Sequence, residues 1–209
     1  EQAADWVLRL PRLMGAWGGG DHGTTRLMLR WLQTPAVLEK LRAPQARICD
    51  FGHGSGVLAM AATALGGPTC RAVGVDIEPS AVTCARENAT ASGLEQRCSY
   101  VLPPASFLDK DLDFAARFGD YRTYPPADIM AEPKAEYDIV VANILPGPLK
   151  MLATTLVALL RPNGLLAITG CQEHQWATLC DTYAAGGHPL APVMREAAGG
   201  KWVLLASCG

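Results

Sequence analysis

The 209 residues carry 18 Lys and Arg against 20 Asp and Glu, a formal charge of −2, with 49% hydrophobic residues. That composition is globular and allows one large core. No Lys/Arg cluster marks a nucleic-acid surface, and no apolar run approaches the roughly 20 residues of a spanning helix, so neither direct nucleic acid nor membrane is predicted as a partner.

Residues 1–45 are predicted as a lead-in of strand, loop and helix. Within it, Trp17-Gly18-Gly19-Gly20-Asp21-His22-Gly23-Thr24-Thr25-Arg26 precedes a helix bearing Leu27, Leu29, Trp31 and Leu32. Read locally, this is a flexible loop with Asp21, Thr24 or Thr25 as helix cap. The first strong strand, 46–52, ends in a glycine-rich turn, and a helix over 56–65 stops at Gly66-Gly67. A strand at 71–77 follows, and Pro79 suits the first turn of a helix reaching Gly93. Residues 98–102 form a short strand cut off by Pro103-Pro104. The stretch 103–136 is the least regular and reads as a surface insertion around one short helix near 108–118. Next come strand 137–144, helix 148–160, a turn at Pro162-Asn163-Gly164, strand 165–170 and helix 173–185. Strands 191–197 and 201–207, around Gly199-Gly200, close the chain as an antiparallel hairpin.

This alternation predicts a single α/β domain over 1–209, with five parallel strands, helices on both faces and the terminal hairpin. NAD-binding domains continue with further parallel units. The hairpin points instead to a Rossmann-like, seven-stranded methyltransferase sheet. Seven cysteines, an odd number without a C-x-x-C pair, form no metal-ligand spacing. They read as reduced structural thiols of an intracellular, cytoplasmic protein, or of an organelle if a targeting segment was removed. The chain begins at Glu1 rather than Met, as a processed protein or an excised piece would.

Three motifs carry chemistry. Asp50-Phe51-Gly52-His53-Gly54-Ser55-Gly56 joins the first strand to the first sheet-crossing helix. Its alternate glycines let backbone pass close beneath a ligand, and the helix N-terminus offers unpaired N–H groups. A dinucleotide fingerprint would need its third glycine at position 57, where Val57 stands. Asp76 follows at the end of the second strand, where a carboxylate can accept both ribose hydroxyls of an adenosine. It can also cap the next helix, a role Glu78 can take instead. Asn143 heads Asn143-Ile144-Leu145-Pro146-Gly147-Pro148 at the carboxyl end of the fourth strand, the edge where open α/β sheets bind ligands. Its carbonyl can accept a hydrogen bond from an amine nucleophile, or simply cap the turn before two prolines; position alone leaves both open. His53 is assigned no catalytic role, and Trp31, Trp176 and Trp202 read as packing.

In this order, the pieces resemble the ribosomal protein L11 methyltransferase family. Its catalytic domain carries F-G-T-G-x-H-x-T-T-R, D-x-G-x-G-S-G-I-L, G-x-D-I-D-P and V-x-N-I-L-x-G-P-L. The chain matches at Gly18, Gly20, His22, Thr24, Thr25 and Arg26, then from Asp50 to Leu58. It matches again at Gly74, Asp76, Ile77 and Pro79, and from Asn143 to Leu149. Trp17, Gly19 and Glu78 depart from the pattern, and Asp109 is the nearest candidate for the acidic residue expected beside adenine. The family's substrate-recruiting N-terminal domain has no counterpart in these residues.

The resemblance implies S-adenosyl-L-methionine as cofactor and S-adenosyl-L-homocysteine as product. It implies methylation of lysine side chains and an α-amine on a protein such as ribosomal protein L11. Thr25, Asp50, Gly52, Gly54, Gly56, Asp76, Ile77 and Asn143 are the implied cofactor-binding residues, with Asn143 also catalytic and no metal. The loop 18–25 is implied to cover the methionine end of the cofactor. Alternatives are another protein lysine (as in the electron transfer flavoprotein β subunit), a small molecule, an NAD-dependent oxidoreductase, or a catalytically silent cofactor-binding scaffold.

Overall fold

The computed structural model describes residues 7–11, 20–109, 112–131, 134–196 and 201–207. Its sheet contains β1 (Arg47–Phe51), β2 (Arg71–Val75), β3 (Cys98–Val101), β4 (Tyr137–Asn143), β5 (Leu160–Gln172), β6 (Leu190–Glu196) and β7 (Trp202–Ser207). The spatial order is β3-β2-β1-β4-β5-β7-β6. The first five strands run parallel, and β7 lies antiparallel between β5 and β6. The predicted hairpin is therefore present, and its antiparallel insertion departs from an all-parallel NAD-binding sheet.

One face is covered by α1 (Gly23–Leu32), α2 (Pro35–Arg42), α3 (Val57–Gly66) and α4 (Pro79–Ala91). The other is covered by α7 (Pro146–Met151), α8 (Ala153–Ala158) and α9 (Trp176–Ala185). Between β3 and β4 stand α5 (Ala105–Leu108), α6 (Leu112–Phe118) and two single-turn 3-10 helices. The central strand β4 shows why both faces fill. Ile139 and Val141 enter the first core, and Val140 and Ala142 the second. A strand buried on both sides reads as a continuous apolar run. Among the described residues, no helix is long and apolar enough to cross a membrane.

Several predicted bounds change. The described part of the lead-in is two helices, α1 and α2, with no strand. The helix predicted at 148–160 is broken at Leu152 into α7 and α8. The insertion holds two short helices rather than one, and a parallel bridge between Leu102 and Ile129 ties it to the sheet edge. Pro162-Asn163-Gly164 lies inside β5 as a bulge. Tyr137 faces Leu160 there and Ile139 faces Leu165, with Asn163 at φ +62°. Three extra residues are absorbed without ending the strand. Of the cysteines, Cys49, Cys70, Cys84, Cys98 and Cys171 are buried free thiols, and Cys180 is half-buried. Cys208 lies outside the described residues.

Candidate active site

The chain moves outward from β1 to β2 and β3 on one side and to β4 on the other. That reversal opens a crevice beyond the strand carboxyl ends. Gly52, Gly54 and Gly56 follow β1, Asp76 and Ile77 follow β2, and Asn143 ends β4. Thr25 lies buried in the first turn of α1. The cap of α1 is His22, not Asp21, Thr24 or Thr25: its Nδ1 faces the Thr24 Oγ1 at 2.8 Å and accepts the Thr24 N–H. The His22 ring packs 5.1 Å from Trp202, which pairs with Gln172 at the carboxyl end of β5. The loop's Trp17, Gly18 and Gly19 lie outside the described residues. Gly52, Gly54, Gly56, Asp76, Ile77 and Asn143 share one edge, with Asp50 beneath them in β1.

The three glycines of the turn all have left-handed backbone, with φ of +81° at Gly52, +53° at Gly54 and +79° at Gly56. Their bare α-carbons have a different cause from the one their spacing suggests. A Cβ on Gly56 would lie 2.7 Å from the Tyr100 hydroxyl, and that hydroxyl donates to the Gly56 carbonyl at 3.2 Å. A Cβ on Gly52 would run into Ile144 Cγ2. Protein atoms, rather than a ligand, fill the space that two of the glycines leave. Gly54 instead donates its N–H to Asp76 Oδ2 at 2.9 Å. Asn88, fully buried, supports the turn from below by donating to the Ser55 carbonyl at 3.0 Å.

Asp50 supplies the cap that Gly56 lacks. Its Oδ2 accepts the Ala59 N–H at 3.0 Å in the first turn of α3, a carboxylate where the helix dipole favours one. Oδ1 is buried without a partner among the described residues. Burial pushes the carboxyl up to about 7, against the Ala59 bond, which lowers it. His53 lies under the turn with Nδ1 3.0 Å from the Gly54 carbonyl and its ring edge-on to Tyr100 at 4.9 Å. Its buried Nε2 has no partner among the described residues. Burial lowers the imidazole's pKa, opposed by the charge of Asp76. A neutral ring that donates from Nδ1 fits this place, so His53 is a filler beneath the turn.

Asp76 is half-buried and has two bonds, to Gly54 N and, through Oδ1, to Glu78 N at 3.0 Å. The capping role foreseen for Glu78 does not form. Glu78 occupies the cap position of α4 without a side-chain bond there, and its carboxylate pairs with Arg117 at 2.8 Å. Asp109 is likewise committed elsewhere, to Arg122 at 2.6 Å and to the Tyr121 hydroxyl at 3.0 Å. The half-buried Asn143 side chain bonds to no described residue, and α7 is capped by Leu145 without any side-chain bond. The turn-capping alternative for Asn143 thus loses its basis. A half-buried carboxylate, a left-handed glycine turn at a helix N-terminus and a carboxamide bonded to no described residue all lie along this edge. Among the described residues, no group of three His, Cys, Asp or Glu is placed to hold a metal.

Two cavities, of about 720 and 940 Å³, open at the opposite, amino edge of the sheet. Three arginines there are already engaged: Arg47 with Glu136, Arg161 with Asp138, and Arg97 with the carbonyls of Thr63 and Gly67. The chemistry-bearing residues all lie at the other edge.

The family model described as Ribosomal protein L11 methyltransferase (PrmA) matches residues 11–207. The chain belongs to this family. Relatives named ribosomal protein L11 methyltransferase include that of Pasteurella multocida, 38% identical over 81% of this chain and 46% of its own length. That of Pseudomonas paraeruginosa is 39% identical over 81% of this chain and 47% of its own. The chain spans about half the length of these curated relatives. The ribosomal protein L11 methylase structure from Lactobacillus delbrueckii subsp. bulgaricus superposes with a TM-score of 0.62 at 25% identity, covering 91% of this chain and 80% of that one. Fibrillarin from Aeropyrum pernix, solved with natively bound S-adenosyl-L-methionine, gives 0.61 at 15% identity over 88% and 74%. At that identity the likeness is one of fold, and the L11 methyltransferase family fold is this Rossmann-like methyltransferase sheet.

Proposed function

We propose that this domain is an S-adenosylmethionine-dependent N-methyltransferase acting on lysine side chains or an α-amino group of a protein. Ribosomal protein L11, after which its relatives are named, is the acceptor we assign. The observation that carries the reading is the uncommitted Asn143 carboxamide, one strand away from the glycine turn and its Asp76 brace. S-adenosylmethionine, when bound, supplies a methyl group on a positively charged sulfur.

The protein's part is binding and alignment. Asp76 accepts the ribose hydroxyls, Ile77 lies beside the base, the turn from Gly52 to Gly56 passes beneath, and Thr25 holds the methionine end. Asn143 Oδ1 accepts an N–H of the acceptor amine and so directs its lone pair. An amine attacks only when neutral, and free lysine titrates near 10.4. Entry into a desolvated cleft favours the neutral form, so the proton is lost to solvent and no strong base on the chain is needed. The free thiols among the described cysteines suit the intracellular, cytoplasmic setting that a ribosomal acceptor implies.

The test is transfer of labelled methyl from S-adenosylmethionine to purified ribosomal protein L11. Label on L11 amines is the expected result. Label on another lysate protein only would reassign the acceptor. Cofactor binding without any transfer would leave a silent binding module, and titration that detects NAD but not S-adenosylmethionine would overturn the cofactor.

A further inference from the structure

Ile144, just past the end of β4, is wedged between two glycines on either side, Gly52 beyond β1 and Gly170 in β5. Beyond β1, a Cβ on Gly52 would run into Ile144 Cγ2 and lie 3.6 Å from its Cβ. Within β5, a Cβ on Gly170 would run into the Ile144 carbonyl oxygen and lie 2.9 Å from its carbon and 3.3 Å from its nitrogen. Both glycines hold left-handed backbone, at φ +81° and +104°. Such glycines lose more freedom on folding than any other residue. Gly52 makes room for the Ile144 side chain, and Gly170 makes room for its backbone.

The wedge begins where the ladders stop. The last β1–β4 pair is Phe51 with Ala142, and the last β4–β5 pair is Asn143 with Thr169. Past those pairs, the side chain of Ile144 keys the chain to the turn after β1, while its backbone lies close against Gly170. Ile144 also packs against the core that contains Phe51, Ala142 and Ile168. Asn143 precedes it directly. We infer that Ile144 is a positioning residue, whose wedge against Gly52 and Gly170 fixes the spacing between the cofactor-side turn and the Asn143 carboxamide. The inference rests on the acceptor-orienting reading of Asn143. Alignment at this scale matters, since a misplacement of about 1 Å can cost roughly 10²-fold in rate.

The test compares Ile144→Ala, which removes the side-chain contact with Gly52 and keeps the backbone contact with Gly170, with Ile144→Val, which keeps both branches at Cβ. Methyl transfer to ribosomal protein L11 should fall by about ten-fold or more in kcat for Ile144→Ala, with cofactor Kd changed by less than about three-fold, because alignment rather than binding is lost. Ile144→Val should stay within about three-fold of wild type. A second readout needs no acceptor. Amide hydrogen exchange of the free protein should quicken in Ile144→Ala over both 52–56 and 142–147, and not in Ile144→Val. In an Asn143→Ala background, Ile144→Ala should add little further loss, as expected for residues acting as a unit. Unchanged exchange at 52–56, equal losses in the Ala and Val variants, or additive losses with Asn143→Ala would each overturn the wedge. Wild-type turnover in Asn143→Ala alone would overturn the reading of Asn143 instead, and the exchange data would still decide the role of Ile144.

Discussion

Asp76 and Gly54 are joined by a hydrogen bond of 2.9 Å from the Gly54 N–H to Asp76 Oδ2. The second carboxylate oxygen accepts the Glu78 N–H at 3.0 Å, so one side chain ties the glycine turn to the start of α4. Asp76→Ala removes this brace together with the proposed ribose acceptor. Affinity for S-adenosylhomocysteine, read by titration calorimetry, should weaken by about 1–3 kcal/mol, the scale of charge-assisted hydrogen bonds. Asp76→Asn keeps one acceptor oxygen and should fall between. Unchanged affinity in Asp76→Ala would reduce Asp76 to a brace of the turn.

Gly74 exists for Tyr100. A Cβ at Gly74 would lie 2.5 Å from Tyr100 Cδ1 and 2.9 Å from His53 Cδ2, and the ring is held by its bond to the Gly56 carbonyl. Gly74→Ala should destabilise the fold by about 1–3 kcal/mol through overpacking, measured by denaturant unfolding. Tyr100→Leu in the same background should recover part of that loss. A Gly74→Ala variant as stable as wild type would show that the ring has room to move.

Burial raises the Asp50 carboxyl from its ordinary 3.8 to about 7. Between those values the folded protein holds a proton that the unfolded chain has released, so this group's contribution to stability falls as pH rises through the window. His53 works in the opposite sense. Its lowered pKa withdraws stability as pH drops below the unfolded value of about 6.5. The two partly cancel in wild type and separate in variants. Asn in place of Asp50 retains an acceptor for Ala59 and cannot ionise. Asp50→Asn should therefore gain stability relative to wild type as pH rises from 5 to about 7, by up to about 1.4 kcal/mol per unit. Parallel unfolding curves at the two pH values would show that Asp50 titrates normally.

The succession of strands and helices and the glycine turn were legible because their causes are local. Alternation, turn residues and the offset from Gly56 to Asp76 all lie within short stretches of chain. What was not legible depends on contacts between distant residues. Nothing local announces that Tyr100 fills the space beside Gly56 and Gly74, or that Ile144 meets both Gly52 and Gly170. The strand end at Gly170 reads as punctuation until the β4–β5 register is known. The pairing of Glu78 with Arg117 also waited on the insertion folding back over α4. His22 was missed as a helix cap because a ring nitrogen is an uncommon choice beside Asp and Thr.

Asn143 offers the most direct test of the chemistry. Its carboxamide bonds to no described residue and caps no helix, so truncation should leave the fold intact. Asn143→Ala should unfold within about 0.5 kcal/mol of wild type, as surface-like substitutions do. Its proposed role is realised when the acceptor amine is aligned, which is later than cofactor binding. Single-turnover methyl transfer should accordingly slow by roughly 10²-fold or more, with S-adenosylhomocysteine affinity lowered far less. Asn143→Asp sharpens the point. A carboxylate at that place would hold the acceptor as an ammonium ion, which has no lone pair to attack with. Turnover of Asn143→Asp should be low at neutral pH and recover as pH rises toward the amine's own range, whereas Asn143→Ala should remain slow throughout. Full turnover by Asn143→Ala, with the fold confirmed, would exclude the carboxamide from the reaction and move the search for the acceptor-orienting group to the His22 side of the crevice.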